Sequence, residues 1–499
     1  MDPRTAVLVG AAQRSVTDTA AAVSPLGLMA EVSRTAAADT ATEPGRLLDA
    51  LDSITVINCL TWPVPDPAAA LALRLGSSPV STGYTHTSGT SPIEALAEGC
   101  ERISDGAADC VLIAGAETVR AYQDGRFTGG EQPTDPATGA GSPMRMLGSD
   151  RTASHPAELA AGLTQPVQYY PLFENAVRAA NGSDIATHEA ALGDLWSRFA
   201  AVARRNPHAW VRSGPDPAEI LTVSEGNRMI CSPYRKLLTA NVSVDQGAAL
   251  VLCSAQRAAE LGIPRERWVF PHAIAHANDH WLVGNRADLH RSPAINAIGA
   301  ALSATLDRGV ADIEHIDLYS CFPCAVQIAA TELGLPSTDP ARALTVTGGL
   351  TFAGGPVSNY VTHALATLIP LLRANPQQFG LSTAVGWYLT KHAAAVLSAQ
   401  PPRMPARGVS AQQAVDRLPM VEIAEDAEGT AIVETYTAGY GRSSRADTVY
   451  LVLRLADGRR TFRAVTAAQE QRTVDRLLST DPIGCKIELS ADDGIRVNT

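Results

Sequence analysis

His86 stands in the segment Y-T-H-T-S-G-T, residues 84–90, directly ahead of the run P-I-E-A-L-A-E-G-C-E-R-I. The spacing of apolar residues in that run predicts a helix. An imidazole at the N-terminus of a helix can act as a general base, a nucleophile or a hydrogen-bond donor. The alternative interpretation is a polar residue that fills a pocket and takes no part in chemistry.

Two further groups of residues are of types that bind metals. His272, His276 and His280 are spaced by four, and Cys321 and Cys324 form a C-x-x-C pair. The histidines would share one face only on a helix, whereas the flanking W-V-F-P and W-L-V favour strand and loop. A C-x-x-C pair without a second pair is more often two packed thiols than a zinc or redox site. The sequence therefore predicts no metal centre.

Composition limits the class of protein. The chain has 499 residues, of which 45% are hydrophobic and 18% are charged, as in globular proteins with a large core. The formal net charge of −11 argues against general binding of nucleic acids or anionic membranes. No stretch approaches the roughly 20 apolar residues of a membrane helix, and the eight scattered cysteines indicate reduced thiols. We therefore expect a cytoplasmic protein.

Short apolar runs alternate with Ala- and Leu-rich helical segments, which predicts an α/β protein. Runs such as A-V-L-V-G-A and C-V-L-I-A-G-A-E-T suit strands that are buried on both faces. Gly, Pro, Thr and Asp become frequent after residue 120, which predicts an inserted loop domain over residues 120–235. Three prolines in residues 398–408 indicate a linker, and the alternating pattern beyond it predicts a small OB-like β-barrel at 408–499.

Six motifs follow one another in a defined order. They are S-G-T-S-P-I-E-A-L (88–96), C-V-L-I-A-G-A-E-T (110–118), T-A-N-V-S-V-D-Q-G-A-A-L-V-L (239–252), D-L-Y-S-C-F (317–322), G-G-L-T-F-A-G-G-P (348–356) and G-L-S-T-A-V-G (380–386). In this order and spacing the chain resembles thiolases over residues 5–400. It is similar to the sterol-carrier-protein type, and most of all to thiolase-like proteins called acetyl-CoA acetyltransferases that carry an additional C-terminal β domain.

The resemblance implies a thiolase fold: two similar halves at residues 1–262 and 263–400, packed in αβαβα layers. It also implies that the inserted domain covers a cleft that receives CoA, as in enzymes of lipid metabolism. The candidate cleft residues that the resemblance indicates are Ser88, Gly354, Gly355, Asn359 and His363.

At the catalytic positions of the family, this chain has other residues. The nucleophilic cysteine of the C-x-S-G motif falls on His86, and the histidine of the G-H-P motif falls on Gly355. The acid/base cysteine falls on Ala384, and the residue that holds a catalytic water falls on Tyr319. Because nucleophile, activator and acid/base act as a unit, the resemblance implies that ordinary thiolase activity is lost.

Three functions agree with the sequence. The first is a thiolase-like acyl-CoA-binding protein with weak or no Claisen condensation or thiolysis, without a tightly bound cofactor and with CoA or acyl-CoA as its ligand. The second is an active acyl-CoA acyltransferase or retro-aldolase that uses His86 and Tyr319. The third is a non-catalytic interaction protein. In each case the C-terminal domain is a candidate surface for a protein partner, whereas nucleic acid is not expected because acidic residues outnumber basic ones in that domain.

Overall fold

The structure is a computed structural model that describes residues 1–18, 21, 23–126, 143–441, 445–490 and 495–497. Residues 127–142 of the predicted inserted domain lie outside the described residues. So do residues 442–444, 491–494 and 498–499 of the predicted β-barrel. The described chain has the mixed α/β architecture that the sequence predicts.

In chain order the strands are β1 Ala6–Ser15, β2 Ser53–Val56, β3 Ser81–Thr85, β4 Cys110–Thr118, β5 Arg145–Leu147, β6 Met229–Cys231, β7 Tyr234–Arg235, β8 Asp245–Ser254, β9 Phe270–Asn278, β10 His315–Asp317, β11 Phe379–Gly386, β12 Lys391–Ser398, β13 Gly408–Ser410, β14 Gly429–Tyr440, β15 Ala446–Leu455, β16 Arg460–Thr466, β17 Lys486–Leu489 and β18 Ile495–Val497. The α-helices are α1 Pro25–Ala38, α2 Pro44–Asp49, α3 Pro67–Leu75, α4 Ser91–Ser104, α5 Val119–Gln123, α6 Pro156–Ala160, α7 Pro166–Ala180, α8 Ile185–Arg205, α9 Pro217–Leu221, α10 Ala255–Glu260, α11 Pro293–Leu306, α12 Pro323–Glu332, α13 Gly349–Phe352, α14 Tyr360–Ala374, α15 Gln412–Asp416 and α16 Ala467–Ser479.

The first sheet has the strand order β1-β8-β4-β2-β3-β5. Strand β8 runs antiparallel to both β1 and β4, while β2, β3, β4 and β5 pair in parallel. Every residue of β4 and β8 is buried, as the fully apolar runs in the sequence predict for strands covered on both faces.

The second sheet has the strand order β10-β11-β12-β9-β13. Strand β12 runs antiparallel to its neighbours β11 and β9, and β10 pairs with β11 in parallel. The edge strand β13 comes from residues that directly follow the proline-rich linker. The first residues after the linker therefore belong to this second sheet.

Helices α4 and α14 lie between these two sheets. Helix α4 contacts β4 and β8 of the first sheet, β12 of the second sheet, and α14. Alternate residues of β4 point to opposite faces, with Val111 and Ile113 in the cluster around α4 and Leu112 and Ala114 in the cluster under α1 and α3. Because α11 packs on the second sheet, the layers follow the order helix, sheet, helix, sheet, helix. The predicted thiolase layering is confirmed.

The C-terminal domain is mostly strands. Its sheet has the order β16-β15-β14-β17-β18, and β6 joins it by pairing with β14 through Cys231 and Gly439. Strand β6 comes from the predicted inserted domain, so the insertion and the C-terminal domain share one sheet. In the described part of the chain, no helix is long and apolar enough to span a membrane.

Arg460 attaches the C-terminal sheet to the second half of the chain. Its side chain is fully buried, and it donates hydrogen bonds to the carbonyl oxygens of Gly284 at 2.8 Å and Arg286 at 2.6 Å. The same guanidinium is paired with the Glu434 carboxylate, with an Nε–Oε2 distance of 2.9 Å. Five hydrogen bonds, to the Glu434 carboxylate and to the carbonyl oxygens of Gly284, Arg286 and Ala287, compensate for removing this charge from water.

We predict that Arg460→Ala lowers the free energy of unfolding by about 3 kcal/mol, because it leaves buried carbonyl groups without donors and removes the buried charge from its pair. Denaturant unfolding followed by circular dichroism measures this change. The matched control is Arg459→Ala, since Arg459 is the preceding residue and forms an exposed pair with Asp457. Equal stability of the two variants would show that the buried contact does not hold the domain.

Candidate functional site

The segments that carry the predicted catalytic positions meet between the two sheets. The turn from β3 into α4 contributes residues 86–90, and the end of β11 contributes Val385 and Gly386. A Cβ atom built on Gly89 would overlap the carbonyl oxygen of Val385 and lie 2.6 Å from the hydroxyl oxygen of Tyr319. A Cβ built on Gly386 would overlap the Ser88 hydroxyl. Residues far apart in the sequence are therefore in direct contact at the start of α4.

His86 occupies the position that the resemblance assigns to the nucleophile. Its backbone N–H donates to the carbonyl oxygen of Leu147 at 2.9 Å, and its own carbonyl accepts from the Ser91 hydroxyl at 2.8 Å. These two bonds fix the backbone, while the imidazole is half-buried. The backbone of His86 is thus held beside Ser91, the first residue of α4.

Tyr319 fills the space in front of α4. Its backbone N–H donates to the Thr383 hydroxyl at 2.8 Å, and its ring packs edge-on against Tyr360 with centroids 5.5 Å apart. Burial raises the pKa of the Tyr319 phenol well above its usual value. The hydroxyl is therefore protonated at neutral pH and can donate a proton or a hydrogen bond, but it cannot act as a base.

The two cysteines that follow Tyr319 are not thiolates. Burial raises the pKa of Cys321 to about 12, and that of Cys324 is also far above its usual value. The Cys324 thiol donates to the carbonyl oxygen of Tyr170 at 3.3 Å. A protonated, buried thiol is a poor nucleophile, so these residues have the properties of packed thiols, as the sequence predicts.

The two glycines that align with the G-H of the family's G-H-P motif differ in the space around them. Gly354 has a φ of 111°, and a Cβ there would overlap the side chain of Gln246, so only glycine fits. At Gly355 a Cβ would lie 3.4 Å from the nearest atom, the carbonyl oxygen of Asn241, which is an ordinary contact. Position 355 therefore has room for a Cβ atom.

Ala384 lies inside the second sheet. It is buried in β11 and pairs with Ala393 of β12. A methyl group has no proton to exchange, so this position cannot supply the acid/base group that the family has there.

The other candidate cleft residues do not form one group. The Ser88 backbone N–H donates to the Ser358 hydroxyl at 3.2 Å, which connects the two halves of the chain. Asn359 donates from its side-chain amide to the carbonyl oxygen of Gly115 in β4 at 2.7 Å. His363, one helical turn later, instead contacts Gln13 of β1, with 3.1 Å between Nδ1 and Oε1.

Two charged residues that the sequence analysis did not include lie near the start of α4. The Thr90 hydroxyl is 2.7 Å from the Ser88 hydroxyl and donates to the Glu94 carboxylate at 2.7 Å. The buried ammonium of Lys391 is 3.4 Å from the same carboxylate. A glutamate in the first turn of a helix is a common stabilising feature, so sequence alone gave no sign that it pairs with a buried lysine.

The histidines spaced by four do not share a helix. His272 and His276 lie on strand β9, where His276 is exposed, and His272 Nε2 lies 2.8 Å from the carbonyl oxygen of Gln400. The strand that the flanking residues predict is therefore present. Across residues 1–18, 21, 23–126, 143–441, 445–490 and 495–497, no three His, Cys, Asp or Glu side chains form a group that could hold a metal ion.

Known proteins match both the thiolase-like part and the C-terminal part of the chain. Residues 410–494 match the family described as thiolase-like protein type 1 additional C-terminal domain. A monomeric SCP2-thiolase like protein type 1 from Mycobacterium smegmatis is 29% identical, and the match covers 100% of this chain and 99% of that one with a TM-score of 0.85. No curated protein matches the chain in sequence.

More distant structures share the fold. The Ltp2–ChsH2(DUF35) aldolase is 19% identical over 79% of this chain and 98% of that chain, with a TM-score of 0.59. Human mitochondrial 3-ketoacyl-CoA thiolase in complex with CoA is 13% identical over 80% of this chain and 98% of that chain, with a TM-score of 0.54. The resemblance to thiolases, and to thiolase-like proteins with an additional C-terminal domain, is confirmed.

We predict that the native protein reacts with 5,5′-dithiobis(2-nitrobenzoate) at one thiol per chain. Cys485 is exposed, whereas the other cysteines are buried, and unfolding should make all eight reactive. The absorbance of the released thiolate counts the thiols. In Cys485→Ser the fast reaction should disappear, and a second thiol that reacts rapidly in this folded variant would contradict the absence of an activated cysteine.

Gly89→Ala should destabilise the protein by about 2 kcal/mol or more, because the added methyl group overlaps the Val385 carbonyl and meets the Tyr319 hydroxyl. Thermal and denaturant unfolding measure the loss. Gly45→Ala is the control, since a Cβ at that exposed helical position meets no atom within 4 Å and should change stability little. If both variants are equally stable, the close packing at the start of α4 is not as described.

Proposed function

We propose that this thiolase-like protein, with its additional C-terminal domain, binds an acyl-CoA or a related acyl ligand without forming a covalent cysteine intermediate. The observation that carries the proposal is the contact of the Tyr319 hydroxyl with Gly89 at the start of α4, where the family has its nucleophile. An imidazole then stands at the position of the nucleophilic thiol, and a neutral phenol lies beside the start of the same helix. Such a site favours holding a ligand over transferring its acyl group.

The chemistry of thiolases explains why several losses together matter. Thiolysis needs a thiolate to attack the thioester, a donor for the oxyanion and a second group to move a proton. Here the corresponding positions are His86, Gly355 and Ala384, and the last two have no functional group. We expect weak or no thiolysis and Claisen condensation, because the groups of such a mechanism act as a unit.

The identity of the ligand is supported by the fold. A thiolase that shares this fold has been seen in complex with CoA, which makes CoA or acyl-CoA the first ligand to test. We propose that no cofactor is tightly bound and that the protein works in the cytoplasm. The C-terminal domain is a candidate site for a protein partner, since one structure with this fold combines Ltp2 with the DUF35 protein ChsH2.

A second candidate is retro-aldol cleavage, which the position of Tyr319 favours. In such a reaction a base removes the proton of a β-hydroxyl group, the bond between the α and β carbons breaks, and the resulting enolate takes up a proton. The half-buried His86 could be the base, and the protonated Tyr319 could return a proton to the enolate. An aldolase shares this fold, which supports testing the reaction.

Calorimetric titration with acetyl-CoA and with free CoA tests the leading proposal. We expect saturable heat with one site per chain, together with acetoacetyl-CoA thiolysis no faster than the protein-free rate. His86→Trp should weaken binding at least tenfold if the ligand lies beside α4. His276→Trp is the matched control, because that histidine is exposed on β9.

Each other outcome has a defined meaning. Folded protein that produces no heat with either ligand would refute acyl-CoA binding. Cleavage of 3-hydroxybutyryl-CoA to acetaldehyde and acetyl-CoA, which Tyr319→Phe abolishes while binding persists, would support the retro-aldolase candidate. Thiolysis at the rate of a working thiolase would refute the proposal that the protein lacks thiolase activity.

A further inference from the structure

A small enclosed cavity lies behind the Gly354 loop. Its volume is about 10 Å³, which is enough for one oxygen or nitrogen atom. Gln246 and His363 both line it, and they are only 2% and 5% exposed. His363 Nε2 and Gln246 Oε1 are buried and have no hydrogen-bond partner within the described chain. A buried polar atom without a hydrogen-bond partner costs free energy of folding. These two acceptors therefore mark the cavity as a binding site for a hydrogen-bond donor.

The hydrogen bonds around His363 fix its unpaired nitrogen as an acceptor. Gln13 donates from Nε2 to the Thr367 hydroxyl at 2.8 Å, and that hydroxyl donates to the carbonyl oxygen of His363. The Gln13 Oε1 atom therefore faces His363 and accepts from its Nδ1–H at 3.1 Å. Burial lowers the pKa of His363 to about 3, so the ring is neutral and Nε2 carries no proton.

The Gln246 side chain is fixed in the same way. Its Nε2 donates to the Ser15 hydroxyl at 2.7 Å and to the carbonyl oxygen of Ala353 at 2.8 Å. Because a carbonyl oxygen can only accept, the amide cannot be turned around. Its Oε1 is therefore the second acceptor beside His363 Nε2. A single atom that carries two hydrogens could donate one to each.

The cavity adjoins a groove of about 710 Å³. Gln13, Asn206 and His208 line both spaces. The remaining walls of the groove are largely apolar and include Ala38, Val202, Val346, Ala366, Pro370 and Leu371. A groove of this volume suits a small molecule with an apolar body.

The charges of the groove exclude ionic end groups. Arg205 and Arg373 line the groove together with Asp39, and Arg373 pairs with Asp39 at 2.7 Å. The one remaining positive charge disfavours an ammonium group, while the two acceptors in the cavity disfavour a carboxylate or a phosphate. A hydroxyl group has only one hydrogen to donate to the two acceptors.

We propose that the groove and the cavity form a second binding site, for an uncharged apolar molecule that ends in a primary carboxamide. The amide nitrogen occupies the cavity and donates its two hydrogens to His363 Nε2 and Gln246 Oε1. The amide carbonyl lies at the half-buried His208 imidazole, which can donate to it. The apolar body extends along the groove. Binding at this second site does not depend on acyl-CoA binding at the start of α4.

Hexanamide and 2-heptanone form a matched pair of probes, because a methyl group replaces the amide NH₂ and the rest of the molecule is the same. Ligand-observed NMR titration of the full chain should give hexanamide a dissociation constant at least tenfold lower than that of 2-heptanone. His363→Leu and Gln246→Leu each remove one acceptor and should each lower that ratio, and the double variant should reduce it to about one.

A substitution on the groove wall tests the site and leaves both buried acceptors, His363 and Gln246, unchanged. Val202→Trp should weaken hexanamide binding at least tenfold, because the indole fills the groove. Ala201→Trp, at the neighbouring exposed position of α8, should have no effect. Equal affinity for the two probes, or equal binding by the two tryptophan variants, would overturn the proposal and leave the cavity as the site of a single water molecule.

Discussion

The centre of the molecule depends on the absence of a side chain at Gly89. The Val385 carbonyl and the Tyr319 hydroxyl come so close to its α-carbon that no other residue fits without movement. Gly386 has the same role for the Ser88 hydroxyl. These two close approaches bring the ends of β3 and β11 together, one from each sheet, and so set the depth at which α4 lies between them. Interiors packed at this density respond as a unit, which links the shape of the candidate site to the packing of both halves.

Burial determines which protonation states are found in this interior. It raises the pKa of Tyr319 and of Cys321 and lowers that of His363, so all three groups are neutral near pH 7. The same region also contains an ion pair, between buried Lys391 and half-buried Glu94. A site built from neutral donors and acceptors selects ligands by hydrogen-bond pattern, and it lacks the charged nucleophile that acyl transfer through cysteine needs.

The sequence was sufficient for the mixed α/β class, the thiolase-like layering and a C-terminal domain that is mostly strands. Apolar runs such as β4 could only be strands buried on both faces, and the order of the glycine-rich motifs carried the resemblance. The sequence did not predict the directions in which side chains point. Nothing in the spacing of Asn359 and His363 indicated that one turns to β4 and the other to β1, because both lie where a helix begins. Strand β6 has three residues, too few for a pattern, and its partner lies in another part of the chain.

That pairing of β6 with β14 has a consequence for the timing of synthesis. Cys231 cannot pair with Gly439 until that residue has left the ribosome, about two hundred residues later. At typical translation rates of 5–20 residues per second the delay is roughly 10–40 s. During this interval the Leu172 carbonyl also lacks the hydrogen bond that the Thr435 hydroxyl later donates to it. The nascent chain therefore has an open strand edge for many seconds, and this places the insertion among the segments that a chaperone would be expected to hold until the last domain emerges.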